Sequence, residues 1–154
     1  MQGDEMRMSA SSGMGIELVH DAGVSLAWVI HREATSNATR FFTSDEATFQ
    51  AGFVVYPAGG HVQAHVHLPI ARQVVGTSEL LLVRSGRCIV DIYSDDRRLI
   101  ASRELAPGDV VVSVGGGHGF RMLEDTVLFE VKQGPFSRAT EKERFPTSPD
   151  GEPL

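Results

Sequence analysis

Two histidines placed two positions apart are the first feature of this sequence that could do chemistry. His65 and His67 lie in the alternating segment HVQAHVH. Side chains two positions apart on a β-strand point to the same face, so the two imidazoles converge if this segment is extended. Imidazole nitrogens bind divalent transition metals at about 2.1 Å. The pair therefore predicts part of a metal site, although His-x-His alone is a weak motif.

A carboxylate and a third histidine follow at positions that could complete such a site. Glu79 opens the run ELLLVRSG, which carries apolar residues on both of its faces. A strand of that kind is covered on both sides, so a carboxylate on it needs a partner. His118 follows three glycines in GGGHGF, where the backbone can turn tightly and bring the ring close to a neighbouring strand. Three imidazoles and one carboxylate suit one divalent ion: Fe(II), Mn(II), Ni(II), Zn(II) or Co(II).

The segments that position these side chains have the pattern of short strands and turns that is typical of an all-β protein. Short β-branched or aromatic runs alternate with clusters of Gly, Pro and Asp, and helical periodicity is nearly absent. Only EATSNATR and SRATEKERF are expected to form a turn or two of helix. The predicted strands are SLAWVIHRE, TRFFTS, TFQAGFVVYPA, VQAHVH, ELLLVRSG, RCIVDIYS, RLIASREL, DVVVSV, HGFRML and TVLFEVKQG.

The breakers between the later strands have the composition of hairpin turns. They are RSGR, SDDR, APGD, GGGHG and LEDT. We therefore expect successive strands to be antiparallel neighbours. So many short strands in a small domain must close on themselves or pair two sheets, because open edges favour aggregation. The pattern predicts a barrel or a jelly roll of two sheets.

Composition and charge exclude several classes of protein. The chain has 154 residues, 42% of them hydrophobic, and a net charge of −6. This predicts one domain with a full core and loosely held termini. Two lysines and scattered arginines argue against nucleic acid as a partner. No apolar run reaches the roughly 18 residues of a membrane span, and the opening segment lacks the apolar centre of a signal peptide. We therefore expect a cytoplasmic protein without a membrane partner, in which the single Cys88 is buried.

The spacing of the site residues resembles the cupin superfamily. The first cupin motif has a glycine, five residues, His-x-His, and later a glutamate followed after six residues by a glycine. The matching positions are Gly59, His65, His67, Glu79 and Gly86. The second motif is matched more loosely by GDVVVSVGGGHGFRM, which retains glycines and His118. The main departure is LPIARQVVGTS, eleven residues between His67 and Glu79 where the family commonly has three or four.

The resemblance covers about residues 50 to 135 and implies a fold and a metal site. The fold is a double-stranded β-helix, a jelly-roll barrel, with an N-terminal extension of strands. Its single domain would span 1–154, with a flexible 1–15, N-terminal strands in 16–47, a barrel core over about 48–135 and a tail over 136–154. The implied ligands of one divalent transition metal ion are His65, His67, Glu79 and His118.

The long insertion leaves two possibilities for the fourth ligand. Either Glu79 reaches the metal, or Gln73 or water takes its place. Residues that could line the barrel mouth and bind a ligand are Tyr56, Arg72, Gln73, Phe120, Glu130 and Lys132. Glu130 and Lys132 share a face of their strand and could instead pair with each other.

The resemblance and the candidate metal ligands together predict a metal-binding protein. It would act on or bind a small molecule, either a sugar derivative or a small organic acid. EVKQGPFSRATEKERF, HVHLPI and GGHGF are also similar to small cupins associated with bacterial surface-polysaccharide assembly, whose related domains include sugar-nucleotide isomerases and epimerases. Isomerase, epimerase and dioxygenase chemistry all stay open for such a fold. Two alternatives are a non-catalytic sensor or carbohydrate-binding module, and an isomerase that works without metal.

The N-terminal segment GIELVHDAGVSLAWVIHRE is strongly apolar and precedes the motif-bearing region. Edge strands with such runs usually need cover. We therefore expect a homodimer that is built partly on this segment.

Overall fold

The computed structural model describes residues 15–137 and 141–154, and all regular structure in this part is β-strand. The contacts divide the chain into two compact units, residues 35–76 and residues 1–34 with 77–154. We call the first the loop unit and the described part of the second the two-sheet unit. Across the described ranges there is no helix that could cross a membrane. EATSNATR forms turns and bends, so its predicted helical turn is wrong. SRATEKERF lies partly outside the described residues.

The two-sheet unit contains most of the strands. In chain order the described strands are β1 (Ile16–Asp21), β2 (Val24–Ile30), β3 (Arg40–Phe41), β4 (Gly52–Phe53), β5 (Glu79–Ser85), β6 (Cys88–Tyr93), β7 (Leu99–Leu105), β8 (Val110–Ser113), β9 (Gly117–Met122) and β10 (Val127–Lys132). One sheet has the order β1-β2-β8-β5-β10 and a second has the order β7-β6-β9, while β3 and β4 pair in the loop unit. Every pairing is antiparallel. The all-β prediction is confirmed, and the arrangement is compatible with a β-sandwich.

The core joins the two sheets of this unit. Its buried cluster combines Val29, Val83 and Val111 of the five-stranded sheet with Val90 and Ile92 of the three-stranded sheet. Period-2 alternation places these side chains on one face of each strand. Cys88 belongs to the same cluster, and burial raises the pKa of its thiol. The prediction of a buried cysteine is confirmed.

The connections between strands differ from the sequence-based expectation. SDDR does join the hairpin neighbours β6 and β7, but RSGR, APGD, GGGHG and LEDT each join strands that lie in different sheets. The prediction that all successive strands are neighbours is therefore wrong. These four connections carry the chain from one sheet to the other instead of folding it back beside itself. The crossings are tight: a Cβ on Gly86 would lie 2.2 Å from the carbonyl oxygen of Asp125.

The predicted strand VQAHVH is also wrong. Residues 54–78 carry no strand, and TRFFTS and TFQAGFVVYPA shorten to the two-residue strands β3 and β4. A strand needs a partner for its backbone groups and cover for its apolar face. Val62 and Val66, which alternation would place on one face, are 50% and 83% exposed. Local alternation without such cover does not produce a strand.

The C-terminal end is held more firmly than its composition suggests. We call residues 141–154 the C-terminal strap. The hydroxyl of Tyr93 donates to the carbonyl oxygen of Gly151 at 2.7 Å, and Arg121 donates to that of Pro149 at 3.0 Å. The ring of Phe145 packs edge-on against Tyr93, with centroids 5.1 Å apart. The expectation of a loosely held end is wrong here because the anchors are backbone carbonyls, which leave no mark in the sequence pattern. Residues 1–14 lie outside the described part.

Candidate functional site

Glu79 begins β5 and points into the space between the two sheets. It is only 3% exposed, and it shares its buried face with Leu81 and Val83, as the sequence predicts. Its cross-strand partners are Ser113 on β8 and Lys132 on β10. The carboxylate therefore lies on the inner face of the sheet, between the polar residues Ser113 and Lys132.

His118 reaches this carboxylate from the other sheet. It lies on β9, and its Nε2 is 3.0 Å from Oε2 of Glu79. That oxygen is buried, and no hydrogen bond to it is found among the described residues. On the far side of the ring, Nδ1 lies 3.2 Å from the hydroxyl oxygen of Ser113. The contact brings together two residues that are 39 positions apart and lie on different sheets.

Burial controls the charge of this imidazole. It lowers the pKa of His118 below its ordinary value of 6.5, while the negative charge of Glu79 acts in the opposite direction. Burial therefore favours the neutral form of the ring. If Nδ1 carries the proton and donates it to Ser113, the lone pair of Nε2 faces Glu79.

Two lysines lie close to the pair formed by Glu79 and His118. The ammonium of Lys142, on the C-terminal strap, is 3.3 Å from Oε1 of Glu79. That of Lys132 is 3.5 Å from Glu130 and 3.9 Å from Glu141. The expectation that Glu130 and Lys132 can pair is confirmed.

His65 and His67 lie in the loop unit. Their rings are close, with centroids 5.1 Å apart and planes at 74°, although both residues are exposed and no strand holds them. Nδ1 of His65 lies 2.9 Å from the carbonyl oxygen of Gln63. The four predicted ligands thus form two pairs: His65 and His67 in the loop unit, and Glu79 and His118 in the two-sheet unit. Within 15–137 and 141–154, no three His, Cys, Asp or Glu side chains form a metal-binding group, and the four-residue site stays a prediction.

The residues predicted to bind a ligand divide in the same way. Tyr56, Arg72 and Gln73 are exposed in the loop unit. Phe120 lies beside the carboxylate–imidazole pair, with its ring centroid 5.8 Å from that of His118. Glu130 and Lys132 lie on β10, the strand that pairs with β5.

Sequence reasoning missed three residues around the pair formed by Glu79 and His118: Ser113, Glu141 and Lys142. The role of Ser113 depends on strand register, which the sequence pattern does not reveal. Lys142 did carry a signal, because it is one of only two lysines in the chain. It lies in a segment that composition describes as a tail.

The chain was compared with protein-family models, curated proteins and solved structures. No family model matches the chain, and no curated protein or solved structure is significantly similar to it.

Proposed function

We propose that this chain is a metal-binding single-domain cupin, with a double-stranded β-helix fold, that binds or acts on a sugar derivative or a small organic acid. The observation that carries the proposal is the buried pair of Glu79 and His118, which bridges the two sheets. The fold is supported by the connections from β5 to β6 and from β7 through β8 and β9 to β10, each of which crosses between the two antiparallel sheets. In this proposal the protein is a cytoplasmic homodimer.

The carboxylate oxygen of Glu79 and the imidazole nitrogen of His118 are spaced so that they could bind one divalent ion. Two donors that bind one ion at about 2.1 Å each, at a right angle, lie about 3.0 Å apart. The separation of Glu79 Oε2 and His118 Nε2 is 3.0 Å. A buried carboxylate oxygen without a hydrogen bond is costly, and a cation would offset that cost. Ser113 on the far nitrogen is the kind of partner that orients a metal-binding histidine.

The residues that would hold the metal are Glu79 and His118, together with His65 and His67. When bound, the ion would supply a Lewis acid that polarises a ligand oxygen. The surrounding side chains bind and orient the small molecule. Phe120 offers an apolar ring beside His118, and Lys132 offers a cation at the same end of the inner face.

A non-catalytic sensor or carbohydrate-binding module is the second candidate. This candidate is favoured because the charged groups around the site already form ion pairs with one another. Lys132 pairs with Glu130, and Lys142 pairs with Glu79, so these groups are held in ion pairs that do not favour proton transfer. An isomerase that works without metal through His and Tyr is less well supported, because the hydroxyl of Tyr93 donates to a backbone carbonyl and Tyr56 is exposed in the loop unit.

Metal binding by site variants tests the proposal. We expect protein purified without a chelating tag to contain a divalent metal. Glu79→Gln should reduce the affinity for Mn(II) by about an order of magnitude or more, since a carboxylate is exchanged for a neutral amide. Zinc should suffer less, because imidazoles can still bind it. His118→Ala and His67→Ala should each lose most of the bound metal.

The matched control is His20→Ala, which removes an exposed histidine on β1. Metal content and melting temperature of this variant should equal those of the wild type. Calorimetric titration at fixed pH gives the affinities. If Glu79→Gln, His118→Ala and the control all bind Mn(II) as the wild type does, the proposed metal site is wrong. Turnover of nucleotide sugars and small organic acids, with and without chelator, then separates an enzyme from a sensor.

A further inference from the structure

The proposed site already contains a cation that belongs to the chain itself. The ammonium of Lys142 is 3.3 Å from Oε1 of Glu79, the carboxylate that the proposed function assigns to the metal. The two partners differ in exposure: the side chain of Glu79 is 4% exposed, whereas that of Lys142 is 45% exposed. The carboxylate is therefore fixed by its burial, and the lysine can leave for solvent.

The C-terminal strap is what delivers this lysine. Its far part is anchored by Tyr93 on Gly151 and by Arg121 on Pro149. Near its start, Glu141 is 12% exposed and lies 3.9 Å from the ammonium of Lys132. Lys132 is the cross-strand partner of Glu79. The anchors hold the strap against the unit, so position 142 is kept beside the inner-face carboxylate.

An ammonium and a divalent ion cannot share this carboxylate without cost. Like charges a few ångströms apart repel, and the repulsion is strong where burial limits solvent screening. The pair with Lys142 also stabilises Glu79 while no metal is bound, and this stabilisation is lost when a metal displaces the lysine. Both effects oppose metal binding.

We propose that Lys142 occupies the cation position beside Glu79 in the metal-free protein, so that the C-terminal strap and a divalent ion compete for one carboxylate. This proposal rests on the proposed function and concerns the regulation of the same site. The strap acts as an internal inhibitor that sets the metal concentration at which the site fills. Metal uptake releases the start of the strap, while the anchors at Pro149 and Gly151 remain in place.

Calorimetric titration of MnCl₂ into the full-length Lys142→Met variant tests the competition. Methionine keeps an unbranched side chain of similar length and removes the charge. We expect Mn(II) to bind about three- to tenfold more tightly than to the wild type, the range for loss of a partly buried ion pair. Arg144→Met is the matched control, because it removes one exposed cation from the same strap two positions further on. Its affinity should match that of the wild type.

Reaction of the Lys142 ammonium with an amine-specific reagent, read by mass spectrometry, gives a second readout that needs no substrate. In the wild type, Lys142 should react more slowly without metal than with saturating Mn(II), because the ion displaces the ammonium from Glu79. Equal Mn(II) affinity of wild type and Lys142→Met, with the labelling of Lys142 unaffected by the ion, would overturn the competition alone. Absence of Mn(II) binding by both proteins would overturn the proposed function together with it.

Discussion

Gly151 is the residue on which docking of the C-terminal strap depends. Its φ is +89°, and a Cβ at this position would lie 2.7 Å from the carboxylate of Asp91. That carboxylate cannot move aside easily, because Asp91 is 2% exposed and accepts hydrogen bonds from Arg121 and Ser102. A side chain at position 151 therefore forces either the strap or a buried ion pair to shift.

Gly151→Ala should detach the end of the strap. Gly23→Ala is its matched control, because Gly23 has a similar φ of +82° but nothing within 4 Å of a Cβ. Both variants carry the conformational strain of an alanine with positive φ, so their difference isolates the clash. We expect Gly151→Ala to lose about 1–3 kcal/mol more of the free energy of unfolding than the control. Urea denaturation and digestion by carboxypeptidase measure the two effects; equal behaviour of both variants would show that the contact with Asp91 is unimportant.

At the scale of elements, one ion pair ties the edge of the five-stranded sheet to the other sheet. Glu17 on β1 accepts hydrogen bonds from both Nε and Nη2 of Arg103 on β7, the first at 2.9 Å. Among the described strands, β1 has β2 alone as a neighbour in its sheet. The hydrogen bonds from Arg103 lower the pKa of Glu17 below 4.5, against the effect of partial burial. The pair thus stabilises the edge strand only while the carboxylate is ionised.

The sign of the pH dependence follows from the lowered pKa. The stabilisation by Glu17 is fully present above its unfolded-state pKa of 4.5 and is lost as the pH falls through the folded-state value. At pH 7, Glu17→Gln should cost about 0.5–1 kcal/mol, since both side chains are partly in solvent. The difference between the wild type and the variant should shrink as the pH falls below 4.5. Urea denaturation from pH 3 to pH 7 checks this, and a difference that persists unchanged at pH 3 would contradict it.

At the scale of the whole molecule, the outer face of the five-stranded sheet is continuously apolar. Strand register aligns two rows of side chains across the sheet. They are Leu18, Trp28, Val112, Leu80 and Val131 in one row, and Ile16, Ile30, Val110, Leu82 and Phe129 in the other. At the β10 edge, Phe129 and Val131 are 55% and 44% exposed, whereas Ile30 and Val112, in the middle of the face, are already buried at 9% and 1%. The exposed apolar part of the face is therefore its β10 edge, and such an edge favours burial against a partner.

We therefore expect the protein to be a homodimer whose partner surface is a second copy of the β10 edge of this face. Val131→Lys should convert it to a monomer that keeps its far-ultraviolet circular dichroism. Leu123→Lys is the matched control: Leu123 is 46% exposed but lies in the turn after β9, away from the rows. Light scattering at micromolar concentration gives the mass. A monomeric wild type, or a dimer that survives Val131→Lys, would exclude this interface.

The sequence by itself determined the features that depend on local alternation. The period-2 pattern of ELLLVRSG placed Glu79 on a buried face with Leu81 and Val83, and the pattern of LFEVKQ placed Glu130 beside Lys132. The spacing of breakers determined the all-β class and the approximate extents of β5 to β10. These predictions held because the direction of a side chain on a strand is set by its immediate neighbours in the chain.

Only the tertiary structure decided which strands pair, where the chain crosses between sheets, and what reaches Glu79. His118 and Lys142 come to this carboxylate from 39 and 63 positions away, through packing of one sheet on the other and docking of the strap. VQAHVH has the alternation of a strand but no cover for its valines, so it forms none. The physical reason is the same in each case: pairing and burial depend on partners distant in the chain, and local pattern contains no information about those partners.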